Sequence, residues 1–303
     1  MNDLILHHYD ASPFTQRALK MLGIKGLDWR SVIMPMMPPK DDLLALTGGY
    51  RGTPVLQIGA DVYVDSQRIA RELEARFPTP SLFPDRNAGV TYAAVKWADA
   101  FFRAGLQYTI AVTSQAWPAE FRKDRQFLFP DVDFDRIDPE HAKSQLRVHA
   151  GFVDQQLADG REFLCGTAPG LLDIHAWTVP WFTRAVPGVD DLFADFRRMA
   201  SWEQRVAALG EGRRTDCTAA EAFAAARAAQ PMSGEVDPKD AQGLRAGMTV
   251  EVAPDDTQRG AVRGEVDSAT VNEIAVRRRH PKCGEVIVHF PRLGYRVTRL
   301  AWR

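Results

Sequence analysis

The chain is expected to fold as a mixed α/β unit, followed by an all-helical unit and then a small all-β unit. Three observations lead there. Residues 1–78 alternate strand-length apolar runs with helical periodicity in the order β-α-β-α-β-β-α. Residues 88–229 carry helical periodicity almost throughout, and residues 243–303 shift to short strand candidates separated by Gly, Pro, Asp and Asn.

Leu4-Ile5-Leu6-His7-His8-Tyr9 reads as a buried strand, followed by a short loop and a helix carrying Ala18, Leu19, Met21 and Leu22. Trp29 to Met34 is a second strand. The Met- and Pro-rich stretch to Lys40 is a loop before a short helix at Asp41 to Leu46. Pro54 to Ile58 and Asp61 to Val64 form a hairpin about Gly59-Ala60. A helix begins near Ser66, with Ile69, Leu73 and Phe77 on one face. Pro78 to Pro84 is punctuated like an interdomain linker, and the helical stretch after it suggests a bundle with an inserted loop at Phe127 to Pro139. After a polar linker, Thr249 to Val252, Ala261 to Val266, Glu273 to Val276, Glu285 to Phe290 and Tyr295 to Leu300 would suit a small β-barrel.

The 303 residues carry a formal charge of −1, which gives the whole chain no electrostatic footprint for nucleic acid or anionic membrane. No run approaches the roughly 18 apolar residues of a membrane-spanning helix, and the N-terminus lacks the pattern of a signal peptide, so a cytoplasmic location is expected. Cys165, Cys217 and Cys283 are widely spaced and read as packing residues.

Three short motifs carry chemistry. In Ser12-Pro13-Phe14-Thr15-Gln16-Arg17, a preferred N-cap precedes a proline at the first helical position, so Ser12 would sit where backbone N–H groups and the helix dipole face a ligand; it would also serve as a plain cap. In Thr53-Pro54-Val55 a proline opens a strand, and in a thioredoxin-like unit such a proline is cis and exposes backbone to a peptide-like ligand. At Asp65-Ser66, a serine N-cap would bind a carboxylate and the aspartate an ammonium, together suiting an α-amino acid head group; capping is again the plainer alternative.

In order and spacing, these motifs resemble those of the glutathione S-transferase family. Ser12-Pro13-Phe14 with Arg17 looks like the motif of its serine-type, tau-like members, where omega-like members have Cys-Pro-Phe. The resemblance covers residues 1 to about 228. It implies a thioredoxin-like glutathione-binding domain over 1–78 and the family's all-helical domain over 88–229, with a β accessory domain added at 243–303. It further implies that Ser12 hydrogen-bonds the glutathione sulfur and lowers its pKa, with Tyr9 as a rival. By the same resemblance Phe14 belongs to the site, Pro54 is the cis-proline, Val55 exchanges backbone hydrogen bonds with the cysteinyl part, and Asp65 and Ser66 hold the γ-glutamyl end. Lys40 and Arg51 have the charge and position to reach the glycine carboxylate. Glutathione is then the co-substrate, a small hydrophobic electrophile the second substrate, and the assembly a homodimer.

One feature departs from the family pattern. Before Asp173, a structural residue of the N-capping box, the place of Ser or Thr is taken by Gly170. His7 and His8 read as packing residues near Ser12, and Trp177, Trp181 and Phe182 as core, with the lining of an electrophile site as the alternative. His280, Cys283 and His289 lack the paired short intervals of a zinc site, so no metal is expected. Arg277-Arg278-Arg279-His280 reads as a solvated strand-end cluster: residues 232–303 hold 12 Lys/Arg against 10 Asp/Glu and show no stacking platform for nucleic acid. A thiol reductase is disfavoured by the absence of a cysteine at position 12. The non-enzyme alternative is a transferase-like scaffold working through its C-terminal β-domain.

Overall fold

The computed structural model describes residues 3–186 and 190–300, which divide into two compact units. The first holds the described residues up to Thr15, Asp28–Glu72, and those from Arg213 onward; the second holds Gln16–Leu27 and the described part of Leu73–Gly212.

The first unit is built on ten strands: β1 (Leu4–His8), β2 (Asp28–Ile33), β3 (Val55–Ile58), β4 (Asp61–Val64), β5 (Arg213–Asp216), β6 (Thr249–Pro254), β7 (Val262–Ala269), β8 (Glu273–His280), β9 (Gly284–Pro291) and β10 (Tyr295–Arg299). They form one sheet in the order β10-β6-β7-β8-β9-β4-β3-β1-β2-β5. Five C-terminal strands form as expected, but as a strand-rich continuation of the first sheet. The join is β4, whose far edge pairs in parallel with β9 in the register Asp61 to Ile287, Val62 to Val288 and Tyr63 to His289. β4 would otherwise expose unpaired N–H and C=O groups along a fully buried, apolar strand. The apolar cluster is likewise continuous, from Ile5, Val32, Leu43 and Val62 to Val250, Val276, Val288 and Phe290.

At the other end, β5 pairs in parallel with β2. Its four residues, Arg-Arg-Thr-Asp, are all exposed, so it carries no apolar alternation to betray a strand, and its charges protect an open edge. The stretch expected to be nearly continuous helix to Ala229 is interrupted here. The helix that follows, α9, packs on β9 in the first unit through Ala222, Phe223 and Ala226. Its N-terminus is a reciprocal capping box: Thr218 Oγ1 accepts from Glu221 N at 3.2 Å, and Glu221 accepts from Thr218 N at 2.7 Å.

Helices in chain order are α1 (Pro13–Ile24), α2 (Asp41–Thr47), α3 (Ser66–Arg76), α4 (Ala88–Thr113), α5 (Ala119–Leu128), α6 (Pro139–Gln156), α7 (Leu171–Arg184), α8 (Arg197–Ala207) and α9 (Ala219–Ala228). The second unit is a bundle in which α4 packs on α6 and α7, and α8 on α6 and α7. Asp173 is fully buried in α7 and accepts from Gly170 N (3.0 Å), Leu164 N (2.7 Å) and Trp202 Nε1 (2.8 Å). Burial pushes its carboxyl up to about 6 against those hydrogen bonds. The glycine at position 170 now has a reason: a Cβ there would lie 2.7 Å from Pro84 Cδ and 3.0 Å from Leu82 O. Trp177 is buried beside Trp181, 6.1 Å between ring centroids, and Phe182 packs on Phe102.

The run at 277–280 forms the C-terminal end of β8, as expected, but Arg277 and Arg278 are engaged rather than solvated. Arg278 donates to the last carbonyls of α2, Ala45 O at 2.7 Å and Leu46 O at 3.0 Å, while Arg277 pairs with Asp267 and Glu285. The β4–β9 join also carries a buried charged cluster. His289 bridges Asp61 and Glu273, each at 3.1 Å, and stacks on Tyr63, while Arg68 of α3 pairs with Glu273. Burial opposes the charged imidazole, but the two carboxylates outweigh it and raise His289 above its ordinary value. Burial also opposes the Glu273 carboxylate, yet His289 and Arg68 bring it down to about 2.

A raised histidine stabilises the fold fully below its unfolded value of 6.5, and that stability is lost as pH rises through the higher folded value. A lowered Glu273 stabilises above its unfolded value of 4.5 and loses this as pH falls toward 2. His289→Gln is therefore expected to cost about 3–5 kcal/mol at pH 6. In urea unfolding, the gap between wild type and variant should narrow steadily from pH 6 to pH 9.

Candidate functional site

The sheet register brings the three sequence motifs together. His7 of β1 stands opposite Val55 of β3, and Val55 opposite Val64 of β4. The loop after β1, the loop before β3 and the turn after β4 therefore leave the sheet at the same end. Those loops carry Ser12, Thr53-Pro54 and Asp65-Ser66.

Ser12 is buried and caps α1: its Oγ accepts from Thr15 N at 3.2 Å, while its own N–H donates to Tyr9 O at 3.1 Å. A hydroxyl has one hydrogen and two lone pairs, so capping leaves its hydrogen free to donate to a ligand. One atom can thus serve as the helix cap and still donate a hydrogen bond. Tyr9 is half-buried, with the Lys40 ammonium 5.3 Å over its ring. Lys40 also lines a cleft of about 560 Å³ with Met34, Asp42 and Cys217, a cleft that includes neither Ser12 nor Asp65.

His7 and His8 point to opposite sides of β1. His7 Nε2 meets Gln57 Oε1 and His8 Nε2 meets Ser31 Oγ, both at 2.9 Å. Burial lowers each to about 4, so both are neutral near pH 7.

The Thr53–Pro54 peptide is cis. Val55 is fully buried between β1 and β4, whereas Thr53 lies outside the ladder, half-buried, with no backbone hydrogen bond among the described residues. Backbone able to meet a peptide is thus at Thr53, one residue before the proline.

The cap of α3 is Asp65 rather than Ser66: its Oδ1 accepts from Gln67 N at 2.9 Å, and Ser66 is the first helical residue. Asp65 holds a left-handed backbone, φ 74°, which aspartate tolerates better than most side chains. Its other oxygen is engaged by residues that sequence reading had not connected with it. Tyr295 Oη donates to Asp65 Oδ2 at 3.1 Å, the Tyr50 hydroxyl lies 3.4 Å from that of Tyr295, and Arg259 reaches Asp65 at 3.8 Å. The Arg259 guanidinium also lies over the Phe14 ring, 5.1 Å from its centroid, and Arg51 N donates to Arg259 O at 2.7 Å. Burial raises the Tyr50 and Tyr295 hydroxyls, leaving both protonated. Burial alone would lower Arg259, but the negative charges nearby, Asp65 and Asp256 among them, hold it above its ordinary value. Only the alternation around Tyr295 hinted at this; Arg259 carried no sequence signal.

His280, Cys283 and His289 occupy separate environments, with His280 Nδ1 accepting from Lys282 N and Cys283 Sγ lying 3.6 Å from Ala45 O.

Residues 6–81 match the family model for the N-terminal domain of glutathione S-transferase. A structure of a GST-like protein from Pseudomonas syringae is 34% identical, covers 99% of this chain and 100% of its own, and superposes with a TM-score of 0.82. The chain belongs to the glutathione S-transferase family. A tau class glutathione S-transferase from mango, Mangifera indica, is 19% identical with a TM-score of 0.53, covering 68% of this chain and 89% of its own. A glutathione transferase from Phanerochaete chrysosporium is 18% identical with a TM-score of 0.57, covering 69% and 98%. These two share the transferase fold, and about a third of this family member has no counterpart in them, whereas the Pseudomonas chain spans nearly all of it. Among curated proteins none matches. Members of the family use glutathione and typically form dimers. Among the described residues, no helix of this member is long and apolar enough to cross a membrane.

Ser12→Ala is expected to cost the ligand-free protein about 1 kcal/mol through the lost α1 cap, and Ser12→Thr much less. Thermal unfolding without glutathione measures both.

Proposed function

We propose that the chain is a glutathione transferase in which the Ser12 hydroxyl stabilises the glutathione thiolate for attack on a small hydrophobic electrophile. The observation that carries this reading is the Ser12 geometry: Oγ accepts the Thr15 amide and keeps its hydrogen for the sulfur. The N-terminus of α1 adds partial positive charge at the same place. A thiol pKa lowered there makes thiolate available near neutral pH.

The thiol proton passes to solvent, since His7 and His8 are neutral but turn their Nε2 atoms to Gln57 and Ser31. The sulfur lone pair then forms the new C–S bond. In a displacement the leaving group departs with the electron pair; in an addition the adjacent atom takes a proton from water. Isomerisation would use the same thiolate.

Backbone beside Pro54, at Thr53 and the start of Val55's strand, would hold the cysteinyl segment. Asp65 and Ser66 would face the γ-glutamyl end, and Lys40 and Arg51 the glycine carboxylate. Tyr9 is the rival donor to the sulfur. A homodimer in the cytoplasm follows from the family habit. The scaffold reading draws support from one observation, the occupation of Asp65 by Arg259 and Tyr295.

Titration of bound glutathione by thiolate absorbance tests the proposal. The wild type should lower the thiol pKa by roughly one to three units. Ser12→Ala should return it toward the free value, and Tyr9→Phe should leave it lowered. The opposite pattern assigns the role to Tyr9; an unshifted thiol in all three supports the scaffold.

A further inference from the structure

The γ-glutamyl corner is chemically unusual. A carboxylate waiting for a ligand's ammonium would be expected to keep an oxygen turned to the site. Asp65 instead spends Oδ1 on the α3 cap and Oδ2 on Tyr295, with the Arg259 guanidinium 3.8 Å away. The Arg259 cation already offsets the Asp65 carboxylate, so the corner attracts an incoming cation less than an unpaired carboxylate would.

This placement is built into the backbone. Gly49 (φ 135°) and Gly260 (φ 92°) let two loops meet main chain to main chain: a Cβ on Gly260 would lie 2.1 Å from Gly49 O, and one on Gly49 2.3 Å from Ala261 O. The Arg51 amide fixes the Arg259 carbonyl at 2.7 Å, and the Phe14 ring supports the guanidinium. Tyr295 is set by ring contacts with Phe290 (5.5 Å) and Tyr50 (6.5 Å). Arg259 is thus seated by its own loop, with only a small part of its side chain exposed.

We infer that Arg259, rather than the ligand, supplies the cation at Asp65, so that the site takes thiol peptides whose N-terminal end presents a carboxylate with no need of an α-ammonium group. This rests on the transferase reading of the same site. A ligand ammonium brought to Asp65 also meets Arg259, a like charge in a poorly solvated corner, so the ammonium adds little to binding there. The C-terminal strands thereby set specificity at the γ-glutamyl end.

The test measures Kd by calorimetry at pH 7 for glutathione and for its des-amino analogue, glutaryl-cysteinyl-glycine, on wild type, Arg259→Gln and Arg259→Lys. The ratio of the two constants on one sample cancels any loss of folded protein. The wild type should bind the analogue as tightly as glutathione or more tightly. Arg259→Gln should shift the ratio toward glutathione by about tenfold, and Arg259→Lys should behave as the wild type. A wild type that prefers glutathione tenfold, or an unmoved ratio in Arg259→Gln, overturns the inference and leaves the transferase reading standing. Failure of the wild type and Arg259→Gln to bind either thiol overturns both.

Discussion

Three residue pairs of a parallel ladder, Asp61 with Ile287, Val62 with Val288 and Tyr63 with His289, decide the architecture of the first unit. Without them β4 would be the edge of a five-stranded sheet, and the strands from β6 onward would need another surface for their apolar face. With them, one apolar cluster extends across the join. The polar groups at the join are matched as closely. His289 spans two carboxylates, and Asp61 also accepts the Met232 amide at 3.1–3.2 Å, so the charges buried at the seam have partners.

The same join has a consequence at the candidate site. The β6–β7 loop and the start of β10 meet the end of β4, where Asp65 turns the chain into α3, although β7, β6 and β10 stand three to five places from β4 in the strand order. Two glycines and one amide hydrogen bond fix how closely the Arg259 loop approaches, and the Tyr50 and Phe290 rings set Tyr295. A feature that reads as an appendage in sequence order is structurally a neighbour of the motif most concerned with the γ-glutamyl end.

Much of the first 78 residues was legible because periodicity and punctuation agree there: continuous apolar runs for β1, β3 and β4, the Ile69–Leu73 stripe of α3, and Ser-Pro at the start of α1. The five C-terminal strands were legible by alternation. Their parallel docking onto β4 was not, because a ladder between distant strands leaves no local mark. β5 was hidden by its charge, since Arg213-Arg214-Thr215-Asp216 has no side chain that must be buried. At the site, Ser12 and Pro54 stood out as cap and strand opener, and Asp65 as the carboxylate beside a serine at a helix start. The side chains that complete Asp65's surroundings did not, because an arginine in a polar loop looks the same in sequence whether solvated or seated on a ring. Similarly, Gly170 read as a departure from the capping box until Pro84 and Leu82 were seen to fill the space of its side chain.

Native-state hydrogen exchange tests most directly whether the ten strands behave as one cooperative sheet. Amides of Val62–Val64 in β4 and of Ile287–His289 in β9 should open with the same free energy and the same denaturant dependence. If β8 and β9 open at much lower denaturant while β1, β3 and β4 stay protected, the C-terminal strands are a separately folding attachment, and the join cannot be what positions Arg259 and Tyr295 at Asp65.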